Sequence, residues 1–329
     1  SAGPVDIGTL SAIDPDGGVF ANHSFTLVAE SGDADNNRFS ISGNKLRLKQ
    51  NETVNFESQP SYTVRVNVFD GANTVEQTLT VTVTDVNEAP GLPGLSPSSI
   101  VENTNTSAGP VDIGTLSAID PDGGAFANHS FTLVAGSGDA DNDRFSISGN
   151  KLQLKQNETV NFESQPSYAV RVSVFDGANT VEQTLTVTAT DVNEAPGLPS
   201  LSPSSIAENA NTSAGPVEIG TLSATDPDSG AFANHTFTLV AGSGDGDNDR
   251  FSISGSKLQL KQNETVNFES QSSYAVRVKV FDGANTVEQT LTVAVTDVNE
   301  APGLPNLSPS SIAENANTSA GPVEIGTLS

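Results

Sequence analysis

Residues 168–192 read YAVRVSVFDGANTVEQTLTVTATDV. Two runs rich in β-branched residues flank Asp-Gly-Ala-Asn, and such a stretch reads as a β-hairpin closed by a tight turn. Working outward, Arg144–Gln156 (RFSISGNKLQLKQ) holds two more alternating runs around Ser-Gly-Asn, a second hairpin. His129–Ala135 (HSFTLVA) alternates apolar and polar residues at period two, as a half-buried strand does. Downstream, Ser205–Glu208 and Val217–Leu222 supply the first strands of the next unit. No stretch has helical periodicity. About seven strands in roughly 100 residues predict an all-β fold: tandem seven-stranded Greek-key sandwiches of immunoglobulin-like type. The Tyr, Phe, Val, Leu and Ile positions then form the cores.

The same unit recurs. SAGPV begins at Ser1, Ser107, Ser213 and Ser319, a period of 106 residues, and residues 1–106 differ from 107–212 at 10 positions. That period is too long for a helical solenoid, whose units run about 20–50 residues. It suits an array of separately folded domains. Composition narrows the function. With 40 Asp and Glu against 14 Lys and Arg, the net charge is −26, which disfavours nucleic acid and anionic membrane surfaces and favours divalent cations. The chain has no Cys, so disulfide frameworks, thiolate chemistry and zinc ribbons are excluded. No run of about 18 apolar residues is present, so no insertion into a membrane is expected of this segment.

The acidic residues gather in short motifs at strand ends. In the third copy these are Ala207-Glu208-Asn209, Thr225-Asp226-Pro227-Asp228, Asn267-Phe268-Glu269, Phe281-Asp282-Gly283 and Asp297-Val298-Asn299-Glu300. All five, in this order, resemble the motifs of cadherin repeats, particularly bacterial cadherin-like domains. The resemblance covers each whole unit. It implies domains at 1–92 (without its first strand), 93–198 and 199–304, with 305–329 opening a following repeat.

The resemblance also implies a Ca2+ cluster at each junction. Between copies one and two the ligands would be Glu57, Asp85, Asn87 and Glu88, facing Asp120, Asp122 and Asp176. Between copies two and three they would be Glu102, Glu163, Asp191, Asn193 and Glu194, facing Asp226, Asp228 and Asp282. Glu208, Glu269, Asp297, Asn299 and Glu300 would serve the next junction, and Glu314 the one beyond. Physics supports such clusters independently, because like charges at ~4 Å repel by several kcal/mol at intermediate dielectric. Calcium, taking about six to eight oxygens in loose geometry, suits such a site better than magnesium.

Two departures from the family pattern temper the count. Asn55, Asn161 and Asn267 stand where the family usually has Asp, and Glu88, Glu194 and Glu300 stand where many members have Asp. Two calcium ions per junction, with a third weak or absent, are expected. Pro196, Pro199 and Pro203 stiffen the segment after the linker. Asp139/Asp141/Asp143 and Asp245/Asp247/Asp249 have the alternate spacing of a calcium loop, although a solvated hairpin tip is the commoner meaning. His23, His129 and His235 occupy one equivalent position without a second His or Cys nearby, and read as surface histidines.

The functional expectation is a calcium-rigidified structural repeat of an extracellular bacterial fibre or adhesin stalk at the cell surface. Its partners would be neighbouring repeats or copies of itself, head to tail, with surface glycans or other cells beyond them. The alternative is a carbohydrate-binding accessory module of a secreted protein, which would want clustered exposed aromatics; the chain has 3 Tyr and no Trp. No catalytic constellation is visible. The tail, Gly303–Ser329, repeats the opening of a unit and is expected to be held by a following segment or by another copy through strand addition.

Overall fold

The computed structural model describes residues 3–16, 22–28, 35–124, 127–230 and 233–329. The chain divides into two compact units, Ser1–Asp191 and Val192–Ser329. In the first unit, copy one contributes β1 (Val5–Thr9), β2 (Ser24–Leu27), β3 (Phe39–Ser42), β4 (Lys45–Leu48), β5 (Ser61–Phe69) and β6 (Thr74–Thr82). They form two three-stranded sheets, β1-β4-β3 and β2-β5-β6.

Copy two contributes β7 (Gly94–Ser96), β8 (Ser99–Val101), β9 (Val111–Ser117), β10 (Ser130–Leu133), β11 (Phe145–Ser148), β12 (Lys151–Leu154), β13 (Ser167–Phe175) and β14 (Thr180–Thr190). The sheets are β11-β12-β9-β7 and β10-β13-β14-β8. The predicted hairpins are therefore β11/β12 and β13/β14, and the second runs in unbroken antiparallel register from Ser167↔Thr188 to Phe175↔Thr180. Eight segments replace the seven expected strands because the first is split. β7 pairs antiparallel with β9 in one sheet, and beyond Pro97 β8 pairs parallel with β14 in the other. Gly114 permits the crossing, since a Cβ there would overlap the Pro97 carbonyl oxygen.

Alternation along β13 produces the core. Tyr168, Val170, Val172 and Val174 point inward and are almost fully buried, whereas Arg171 on the other face reaches Glu182 at 2.7 Å. Phe145 meets Tyr168 edge-on with centroids 6.0 Å apart, and the Arg144 guanidinium covers the same ring at 4.9 Å. This packing recurs around Tyr62 and Tyr274.

In the second unit copy three repeats the plan with β15 (Ser200–Ser202), β16 (Ser205–Ala207), β17 (Val217–Ser223), β18 (Thr236–Leu239), β19 (Phe251–Ser254), β20 (Lys257–Leu260), β21 (Ser273–Phe281) and β22 (Thr286–Thr296). The tail adds only β23 (Leu307–Ser308) paired with β24 (Thr327–Leu328), and nearly all of its residues are exposed. Among the described residues no helix is long and apolar enough to cross a membrane.

Candidate metal centre

In the first unit the linker after β6 runs past the start of copy two. The Glu88 N–H donates to Asp122 Oδ2 at 2.8 Å, and the Asn87 carboxamide donates to Asp176 Oδ2 at 2.9 Å. Asn179 returns a side-chain hydrogen bond to the Glu88 carbonyl at 3.1 Å, and the Gly91 N–H reaches the Ile119 carbonyl at 2.7 Å. These bonds bring one carboxylate oxygen each of Glu57, Glu88 and Asp122 within 4.8 Å of one another. Burial, with Glu57 and Asp122 nearby, pushes the Glu88 carboxyl above its usual range.

Around this cluster three acceptor oxygens are sealed from solvent and receive no hydrogen bond: Asp85 Oδ1, Asn87 Oδ1 and Asp122 Oδ1. Buried acceptors of this kind are rare in folded proteins and call for an explanation. All three are hard oxygen donors, the type calcium takes. The residues therefore fit a divalent cation. The second unit is built alike: Asn193 donates to Asp282 Oδ2 at 3.0 Å, the Glu194 N–H to Asp228 Oδ2 at 2.8 Å, and Asn193 Oδ1 and Asp228 Oδ1 are again sealed and unbonded.

A second type of cluster closes the far end of each complete copy. Glu102, Glu163 and Asp191 converge within 4.8 Å at the end of copy two, and Glu208, Glu269, Asp297 and Glu300 do so in copy three. Glu102, almost fully buried, accepts the Phe162 N–H at 2.8 Å. Glu208 accepts the N–H groups of Val298 (2.6 Å) and Phe268 (3.0 Å), which draw its carboxyl below the usual range. Burial first, then the neighbouring carboxylates, raises Glu163 and Glu300.

Other expected ligands stand apart from these clusters. Asp176 and Asp282 lie at the starts of their hairpin turns, where Oδ1 of each accepts two backbone N–H groups and Oδ2 takes the linker Asn. Asn299 reaches only the Glu300 carbonyl, at 3.4 Å, and Glu314 is exposed in the tail. Asp120 and Asp226 each meet a histidine instead. His129 Nε2 lies 2.8 Å from Asp120 Oδ2 with its side chain only 10% exposed, which corrects the expectation of a surface histidine. A constant nine-residue offset from aspartate to histidine in all three copies was the available signal.

In the alternate-Asp loops the carboxylates bind neighbouring backbone and side-chain groups. Asp141 spends its oxygens on the Ala169 N–H (2.7 Å) and Gln165 (3.0 Å), while Asp139 accepts the Gly136 N–H at 2.9 Å. They are structural turns. Asn161, whose lost charge was the sequence's departure, donates its amide to Glu163 Oε2 at 2.9 Å and thereby orients a cluster member.

Paired four-stranded sheets with a split first strand and acidic linkers define a tandem β-sandwich repeat. Residues 203–296 match the family model of the cadherin domain, and the 106-residue period carries that assignment to the near-identical copy before it. The unit matched by the cadherin-domain model recurs along the chain at that period. The chain is 29% identical to human Cadherin-related family member 2 over 204 residues, covering 58% of this chain and 15% of that protein. With human Protocadherin-16 it shares 28% identity over 305 residues, 89% of this chain and 9% of that protein. The extracellular domain of Protocadherin GammaB4 superposes with a TM-score of 0.65 at 20% identity, over 96% of this chain and 50% of that one, a likeness of fold. The chain thus spans 15% or less of the length of these two curated relatives. They are human proteins and lend no support to the bacterial part of the resemblance.

Proposed function

We propose that this chain is a calcium-stiffened spacer of an extracellular adhesion protein, in which each linker is fixed by cations held between successive repeats. The observation that carries it is the set of sealed, unbonded oxygens of Asp85, Asn87 and Asp122 beside the Glu57–Glu88–Asp122 cluster. Calcium supplies the positive charge that lets these carboxylates stay ionised and close together. Glu57 and Glu88 bind it from the side of copy one, and Asp122 from copy two. Asn87 and Asn179 add hydrogen bonds between the linker and copy two. The period of 106 residues places the same residue types at every linker, so the stiffening repeats with the sequence. Neighbouring repeats are the partners this reading requires.

The chain has no cysteine, so S42C and S148C, at equivalent exposed positions of copies one and two, give a unique pair of spin labels. With calcium their distance distribution should be narrow, and with chelator it should broaden at least about twofold. A distribution indifferent to chelator would reject the reading.

A further inference from the structure

In every copy a histidine nine residues beyond the first aspartate of the Asp-Pro-Asp turn closes on it. His129 Nε2 lies 2.8 Å from Asp120 Oδ2, His235 Nε2 2.8 Å from Asp226 Oδ2, and His23 Nε2 3.3 Å from Asp14 Oδ2. A carboxylate has no hydrogen to give, so Nε2 carries the proton and donates it. The other oxygen of Asp120 accepts the Asp122 N–H at 3.0 Å. Each oxygen of a side chain only 2% exposed thereby accepts a donor from the protein itself, and little of that side chain is left open to an ion. Asp122, two residues on, is the opposite case, since its Oδ1 has no donor and it belongs to the three-carboxylate cluster from which Asp120 is missing.

We infer that His129 withholds Asp120 from the cation cluster, and that His235 does the same to Asp226, so that each linker holds fewer cations than its carboxylates would otherwise allow. To ligate a cation through Oδ2, Asp120 must release the imidazole N–H. That ring is fixed edge-on to Phe131, with centroids 6.4 Å apart, and the released N–H would lose its partner in a nearly closed site. The histidine thus sets stoichiometry without touching the ion. This rests on the calcium reading above and adds a positioning residue that limits it.

Calcium titration calorimetry on the full chain tests it with D120N, D122N and H129A. Asn fits at position 120, because its Oδ1 still accepts the Asp122 N–H and its amide can donate to the other imidazole tautomer. D120N should leave affinity and stoichiometry within about twofold of the parent. D122N should weaken linker binding at least about tenfold, as loss of a coordinating group does. H129A should release Asp120 and either add a bound ion or tighten the weakest step about tenfold. The unaltered chain gives a readout free of folding effects: its imidazole Nε2–H resonance should persist when calcium is added. The inference is overturned if D120N costs as much as D122N, if H129A leaves binding unchanged or weaker, or if the resonance vanishes on calcium addition. A parent chain that binds no calcium would reject the calcium reading, and this inference with it; failure of the variants with calcium bound rejects this inference alone.

Discussion

Glu163 and Glu182 are both acidic residues of copy two, and their surroundings separate their roles. Glu163 shares a 4.8 Å cluster with Glu102 and Asp191, whereas Glu182 pairs with Arg171 on an open strand face. A unit charge ~4 Å from a cation contributes about 1–4 kcal/mol between water and a protein surface. E163A should therefore lower calcium affinity tenfold or more by calorimetry, while E182A leaves it unchanged and costs at most about 1 kcal/mol of stability. Equal affinities would refute the assignment. Titration gives a second expectation at this scale. Burial pulls Asp282 upward, but the N–H groups of Ala284 and Asn285 and the carboxamides of Asn193 and Asn285 outweigh it and hold the carboxyl at about 2. A carboxyl lowered from its ordinary value near 3.9 stabilises the fold above about pH 4, and that stability is lost as pH falls toward about 2. Glu88, Glu163 and Glu300 are raised, so the metal-free fold takes up protons before the unfolded chain does and gains stability as pH falls from neutrality toward about 5. Calorimetric scans in chelator should show a melting temperature that rises from pH 7 to about 5 and falls below about 4. A monotonic fall from pH 7 would contradict the raised carboxyls.

Between elements, a single backbone position shows how tightly the hairpin face is fixed. Gly138 has φ +92°, and a Cβ there would overlap Thr184 Oγ1 on β14. G138A should destabilise copy two by roughly 1–3 kcal/mol from backbone strain alone, with the steric overlap adding to it. S148A, at an exposed strand end, should not shift the melt; equal melts for the two variants would show that the loop repacks freely. The strands themselves were legible in the sequence. Alternation and the Asp-Gly-Ala-Asn turn placed β13 and β14 within two residues of their bounds, because period and turn chemistry are local. The split of the first strand was not, since the parallel pairing of Ser99 with Thr188 joins residues that only the finished sandwich brings together. The same holds for the site. Short motifs singled out Glu102, Glu163 and Asp191, which the fold brings within 4.8 Å of one another, whereas the hydrogen bond from the Ala169 N–H to Asp141 and the contact of Asp120 with His129 depend on tertiary structure that no short motif encodes.

For the whole molecule the deciding quantity is charge against distance. The whole chain carries a net charge of −26, yet the apolar clusters around Phe39, Phe145 and Phe251 each belong to a single copy and contain no carboxylate. Removing calcium should therefore leave the far-ultraviolet circular dichroism of the sheets unchanged and act on the linkers. Monovalent salt tests whether general screening could do the cation's work. The Debye length is about 8 Å at 0.15 M and about 30 Å at 0.01 M, so at the separation of the Glu57–Glu88–Asp122 oxygens physiological salt leaves roughly half of the repulsion in place. Nor does a diffuse sodium atmosphere satisfy the sealed oxygens of Asp85, Asn87 and Asp122, which want a bound ligand. In chelator, raising salt should narrow the S42C–S148C distance distribution only part of the way, and millimolar calcium at constant ionic strength should complete it. Magnesium at the same concentration should fall short, because it demands octahedral geometry and gives up its water reluctantly. Full narrowing by sodium chloride alone would mean that the linker is stiffened by screening and not by coordination, and the sealed oxygens would then need another explanation.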